Sequence, residues 1–227
     1  IGQPDISTPK VVLDELKNLK LDVIEYSHSA GFSSYRNGLA NYYQKIGIHL
    51  DPEKEIMITT GGSEALIFAF QCCFEPGDEI ICSGNSHIYL YEGAGFAALS
   101  GVSVACVDGE AGILTADGVR NAIRAEGSLS HYPVTSLICL ENTANRGGGS
   151  IYPMQNILEI AEVAREKNLK LHLDGARMFN AVVASGVSAA EMAAPFDSIS
   201  FCLSKGLGCP VGSLIVGSRT FIDRCHR

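Results

Sequence analysis

One lysine, Lys205, stands between two apolar runs in "SISFCLSKGLGCPVGSLIVG" (residues 198–217). A lysine at a strand end commonly lays its stem on apolar surface and lifts its ammonium to water. Kept from water, the same amine is a nucleophile for carbonyl groups. Asp174 closes another apolar run, "LHLD", with Arg177 just beyond it. The aspartate either caps the next helix or, buried, keeps a heterocyclic nitrogen protonated. Arg177 is either a surface cation or a bidentate clamp for a substrate carboxylate. His87, after "EIICS", offers a flat ring to stack on a cofactor and a nitrogen for proton transfer. Its plainer role is a helix cap. "ITTGGSEAL" sets Gly61, Gly62 and Ser63 between a strand and a helix, so the N–H groups of Ser63, Glu64 and Ala65 point at an anion. The alternative is an ordinary glycine turn with a serine cap. Asn142 and Asn145 in "LENTANRGGG" are placed either to bond a ring substituent or to lie in a surface loop.

Taken together these residues form a set. A phosphate cradle at Gly62, Ser63 and Glu64, a stacking ring at His87, an acid at Asp174, a clamp at Arg177 and a late Lys205 occur in that order. Each follows a strand-like run. The set suits pyridoxal phosphate, whose carbanion chemistry needs these parts, with Lys205 forming the Schiff base. Among the other histidines, His172 inside "LKLHLD" reads as a core-facing strand residue, and His131 in "SHYPVTSL" as a loop residue. His28, His49 and His226 carry no specific signal.

Alternating strands and helices must position these groups. Thr8 and Pro9 open a helix in "TPKVVLDELKNL", and "SSYRNGLANYYQKIG" is helical up to Gly47. "EIMITT", "EIICS", "VSVACV", "TSLICLEN", "LKLHLD" and "SISFCLS" read as strands. "GSEALIFAFQCCF", "YLYEGAGFAALSG", "TADGVRNAIRAEG" and "MQNILEIAEVAREKN" read as helices between them. Apolar strands separated by helices predict an α/β fold, a mostly parallel sheet with helices on both faces. Ligands in such sheets sit beyond the carboxyl ends of the strands, where these residues fall. "GSLIVG" follows Lys205 too closely for a helical crossover and is expected to be antiparallel.

Composition narrows the function classes. The 227 residues are enough for one sizeable domain, and 46% apolar with 19% charged residues is ordinary for a globular chain. The net charge of −8 argues against a nucleic-acid or anionic-membrane surface. No apolar run is long enough for a membrane span, and no secretory leader is expected. The eight cysteines include no CxxC pair, so spacing suggests neither a zinc site nor a redox pair, and no metal is expected. Reduced, mostly buried thiols in a cytoplasmic protein are expected.

From Ser86 onward the chain resembles the L-threonine aldolases of the aspartate-aminotransferase fold superfamily. The stretches that carry the resemblance are "SHIYLYEGAGFAALSGV", "TSLICLENTANRGGGSIYP", "LHLDGARMFNA" and "SFCLSKGLGCPVGSLIVG". It implies that Lys205 is the Schiff-base lysine, that Asp174 pairs with the pyridine nitrogen and that Arg177 binds the substrate carboxylate. It also implies that His87 stacks on the cofactor ring and that His131 lies near the substrate hydroxyl. The stretch before Gly84 resembles a class I aminotransferase instead, in "IGQPDISTP", "YRNGLANYYQKIGI", "IMITTGGSEALIFAF" and "PGDEII". The "RSDT"-type opening of threonine aldolases is absent. Residues 1–34 are expected to form an N-terminal segment and 35–227 a large cofactor-binding domain. The C-terminal small domain of both families, with its second carboxylate-binding arginine, is expected to be missing.

The resulting expectation is a pyridoxal-phosphate-dependent lyase that splits L-threonine or L-allo-threonine into glycine and acetaldehyde. A class I aminotransferase is the second reading, and an inactive or structural fragment the third. A nicotinamide-binding domain is disfavoured, because "TTGGSEA" lacks the GxGxxG spacing. The expected partners are a small amino acid substrate and one or three further copies of the chain.

Overall fold

The computed structural model describes residues 7–19, 28, 30–73, 77–124 and 132–226. In chain order its elements are α1 (Lys10–Asn18), α2 (Ser33–Gln44), β1 (Met57–Thr59), α3 (Gly62–Cys73) and β2 (Asp78–Ser83). Then come α4 (His87–Leu90), α5 (Gly95–Ser100), β3 (Ser103–Val107), α6 (Ala116–Ala122), β4 (Val134–Glu141) and α7 (Met154–Glu166). The chain continues through β5 (Lys170–Asp174), α8 (Met178–Ser185), α9 (Ala189–Ala193), β6 (Ser198–Cys202), β7 (Ser213–Gly217) and α10 (Arg219–Cys225).

The strands form one seven-stranded sheet in the order β1-β7-β6-β5-β4-β2-β3. The β3, β2, β4, β5 and β6 neighbours run parallel, as their continuous apolar character requires. β7 is antiparallel to β6 and to β1, as the short Lys205 connection predicts.

Successive strand residues point to opposite faces, and each face has its own core. Ile81, Ile138, Leu140, Leu171 and Leu173 pack with Ile157 and Ile160 of α7 and with Met178 of α8. Ile80, Leu137, Cys139 and Ile215 pack on the other side with Ala65, Leu66, Ala69 and Phe70 of α3 and Phe96 of α5. The sheet therefore has no wet face, and the loops at its carboxyl edge are left to carry chemistry.

Three local expectations shift. Pro9 is itself the N-cap of α1, held extended at ψ 134°, with its carbonyl accepting from Val12 and Leu13. Its fixed φ suits a cap or a first helical position alike. The helix read through "YLYEGAGFAALSG" is broken in two, because Gly93 and Ala94 take left-handed φ angles of 60° and 55°. The helix capped by Thr115, whose hydroxyl accepts from Gly118 N–H, ends at Ala122.

Candidate active site

Four strand ends and one helix start meet at a cavity of about 210 Å³. Its walls include Gly62 and Ser63 of α3, His87 of α4, Glu141, Asp174, Arg177 and Lys205. The sequence-predicted ring, acid, clamp and lysine, with Gly62 and Ser63 of the cradle, thus line one space, although they are scattered through the chain.

Asp174 is the last residue of β5 and only 4% exposed. Its Oδ1 accepts from Ala176 N–H at 3.2 Å, and among the described residues Oδ2 takes no hydrogen bond. Burial pushes its carboxyl up to about 6, and the nearby Glu141 carboxylate adds to this. Lys205, the Ala176 N–H and His87 pull the other way. Asp174 lines the cavity, where a ring nitrogen carrying a proton could bond Oδ2.

Arg177 is the N-cap residue of α8, just past Asp174. Lys205 lies on the loop between β6 and β7, pinned by Leu203 N–H to Gly212 O at 2.9 Å and Gly208 N–H to Lys205 O at 3.0 Å. Neither cation enters an ion pair or a side-chain hydrogen bond among the described residues. Two unpaired cations beside a buried acid fit an anionic ligand.

His87 opens α4. Its ring Nδ1 lies 2.9 Å from Glu92 Oε1, and its backbone N–H donates to Glu141 Oε2 at 2.9 Å. The Glu92 hydrogen bond raises the imidazole pKa above its ordinary value, with a smaller push from Asp174; partial burial and Lys205 oppose it. For Glu92, burial acts upward, yet hydrogen bonds from His87 and Ser63 outweigh it and leave the carboxyl below the usual range. Glu92 reaches back to His87 because α4 stops at Leu90 and Tyr91 leaves the helix at φ −126°. Ser63 is thereby linked through Glu92 to His87.

At the start of α3 the glycines divide their work. A Cβ on Gly62 would meet Cys202 Sγ at 3.1 Å, so Gly62 lets the helix start close against β6. A Cβ on Gly61 would meet nothing within 4 Å, which leaves that approach open. Glu64 does not line the cavity; its Oε2 turns back to accept Thr60 N–H at 2.7 Å.

His172 is buried and bonds Ser198 Oγ at 2.8 Å and Ser200 Oγ at 3.3 Å, a core histidine whose pKa burial pushes down to about 3. Asn142 is buried below the cavity, with its N–H on Asp174 O at 3.0 Å, and does not line it. Asn145 N–H donates to Glu141 Oε1 at 3.0 Å. His131 lies outside the described residues.

Glu141 and Glu92 are additions that sequence reasoning missed. Glu141 has a signal in retrospect: it ends the apolar run "TSLICLE" as Asp174 ends "LHLD", and the two are register partners across β4 and β5. Glu92 has none, since its role depends on the broken helix.

The sequence profile of the beta-eliminating lyases matches residues 43–227, reaching upstream of Ser86 into the aminotransferase-like stretch. A probable low-specificity L-threonine aldolase 2 of Arabidopsis thaliana is 43% identical over 175 residues, covering 77% of this chain and 49% of its own length. The chain spans about half the length of the curated relatives it matches. Among solved structures, a Leishmania major threonine aldolase superposes with a TM-score of 0.77 at 20% identity, over 98% of this chain and 62% of its own. A single mutant of Thermus thermophilus aspartate aminotransferase gives a TM-score of 0.74 at 22% identity, over 100% of this chain and 58% of its own. Both share the fold. The profile match takes in most of the chain and every residue of the cavity, and on that basis the chain belongs to the beta-eliminating lyase family.

Proposed function

We propose that the cavity holds pyridoxal phosphate and that the whole protein cleaves L-threonine or L-allo-threonine to glycine and acetaldehyde. The observation that carries this reading is the meeting of Asp174, His87, Arg177 and Lys205 around one cavity at the carboxyl edge of the sheet. The residues present fit the cofactor. The open Oδ2 of Asp174 suits a ring N–H, Ser63 and the start of α3 suit a phosphate, and Lys205 suits an aldehyde.

Bound there, pyridoxal phosphate supplies an electron sink for the pair released when the Cα–Cβ bond breaks. Asp174, favoured in its ionised form by Lys205 and His87, would keep that sink positively charged. Arg177 fixes the substrate carboxylate and so sets which bond at Cα faces the sink. His87, steadied by Glu92 and Glu141, offers a ring face to the cofactor. The proton of the β-hydroxyl goes to His87 or His131, directly or through water, and a proton delivered to Cα completes glycine.

The experiment is incubation with L-threonine and L-allo-threonine, following acetaldehyde through alcohol dehydrogenase and NADH. In parallel, aspartate with 2-oxoglutarate is assayed for glutamate. Acetaldehyde release is the expected result; glutamate alone would establish an aminotransferase instead. Neither product, with no borohydride-reducible visible band, would show an inert fragment.

The same reading includes self-association as a homodimer or homotetramer. The supporting feature is α1, which buries none of its residues in this chain yet exposes Val11, Leu13 and Leu16. It also includes a cytoplasmic setting, which rests on the scatter of the eight cysteines, none of them in a CxxC pair. No helix of the described residues is long and apolar enough to cross a membrane.

A further inference from the structure

Cys82 in β2 and Cys106 in β3 are register partners on neighbouring parallel strands. Paired positions leave the same face of a sheet with backbones roughly 4.8 Å apart. That separation lies within the Cα spacing of about 4.4–6.8 Å that disulfides span. The two thiols act on each other's titration, and the Tyr89 hydroxyl of α4 acts on the Cys106 sulfur as well. The pair is asymmetric: Cys82 is buried, whereas Cys106 is exposed on the edge strand.

We propose that Cys106 and Cys82 are a peroxide-responsive thiol pair, with Cys106 the attacking sulfur and Cys82 the resolving one. The Cys106 thiolate takes one OH from hydrogen peroxide; a sulfur–oxygen bond forms, the O–O bond breaks and hydroxide leaves. Cys82 sulfur then displaces that oxygen, which departs as water with the Cys82 proton. The two sulfurs lose two electrons and the peroxide gains them.

The surroundings assign these roles. The Cys82 hydrogen bond, followed by that of Tyr89, pushes the Cys106 thiol down to about 7 against burial and the charge of Asp108. Cys82 moves the opposite way, held protonated by its bond to Cys106 and by burial. A thiolate at the surface with a protonated thiol beneath it is the arrangement of an attacking and a resolving sulfur. Spacing along the chain could not reveal it, because β2 and β3 are brought together only by the sheet. Tyr89 is on the helix that His87 begins, so oxidation removes an acceptor from that helix.

The test is a peptide map of the purified protein after hydrogen peroxide at pH 7, quenched with maleimide and digested without reductant. The expected result is a Cys82–Cys106 linked peptide that dithiothreitol reverses. Cys106 should react roughly tenfold faster than the half-buried Cys209, whose thiol burial pushes up. Cys106→Ser should abolish the link, Cys82→Ser should leave a dimedone-trapped sulfenic acid at Cys106, and Tyr89→Phe should slow the reaction roughly threefold. Oxidation of Cys209 while Cys106 stays open to maleimide would overturn the proposal, as would a disulfide joining any other pair. The map reads thiols and not turnover, so it stands apart from the lyase assay.

Discussion

Asp174 carries a cost of burial in the folded chain, which the Glu141 carboxylate increases. Its carboxyl titrates near 6 when folded against an ordinary 3.8. Between those values the folded state holds the proton that the unfolded chain has lost, so this group lowers stability as pH rises through about 6. Asp174→Asn keeps an acceptor for Ala176 N–H and removes the charge. The ligand-free variant is expected to gain about 2–3 kcal/mol at pH 7.5 and almost nothing at pH 4. Paired chemical denaturation curves at the two pH values check this. Acetaldehyde release should fall by two orders of magnitude or so, since an amide cannot hold the ring nitrogen protonated. Lys205→Ala makes the complementary point: it should abolish the borohydride-reducible band while leaving the melting temperature of the empty protein nearly unchanged, because Lys205 makes no ion pair among the described residues.

At the scale of elements, the break between α4 and α5 decides how His87 is used. A continuous helix would carry Glu92 away from the imidazole. The end of α4 at Leu90, with Tyr91 at φ −126°, returns it. Removing that carboxylate with Glu92→Gln should lower the His87 pKa toward its ordinary value, since the Glu92 bond is the largest influence raising it. NMR titration of the His87 ring detects the change, and an unmoved pKa would show that Glu92 does not govern it. Ala94, exposed at φ 55°, is strained where glycine is not. Ala94→Gly should therefore be neutral or stabilising by about 0.5 kcal/mol, the relief of strain exceeding the added freedom of the unfolded chain. Thermal melts read this directly. The fused helix expected from "YLYEGAGFAALSG" differs from the structure because Gly93 alone does not specify a break. Ala94, next to it, is left-handed as well, and Phe96 beyond it is buried in the core beside α3.

For the whole molecule, the surface of α1 sets an expectation about assembly. Leu13→Asp with Leu16→Asp places charge on side chains that are 42% and 49% exposed, so the isolated fold should tolerate both. If α1 meets a second copy, light scattering should show the mass falling toward the monomer; a mass unchanged by the pair would remove α1 from the interface.

The sequence by itself determined the alternation of strands and helices, the antiparallel turn after Lys205 and the strand-end placement of Asp174, Arg177, His87 and the α3 glycines. These follow from periodicity and turn chemistry, which are local. Tertiary structure decided which of them share a cavity, and it added Glu141 and Glu92, whose partners are distant in the chain or depend on a bend. It also turned Glu64 back onto Thr60, and it brought Cys82 beside Cys106. Register across a sheet and the direction of a carboxylate are fixed by packing between segments, and no single segment of sequence contains that information.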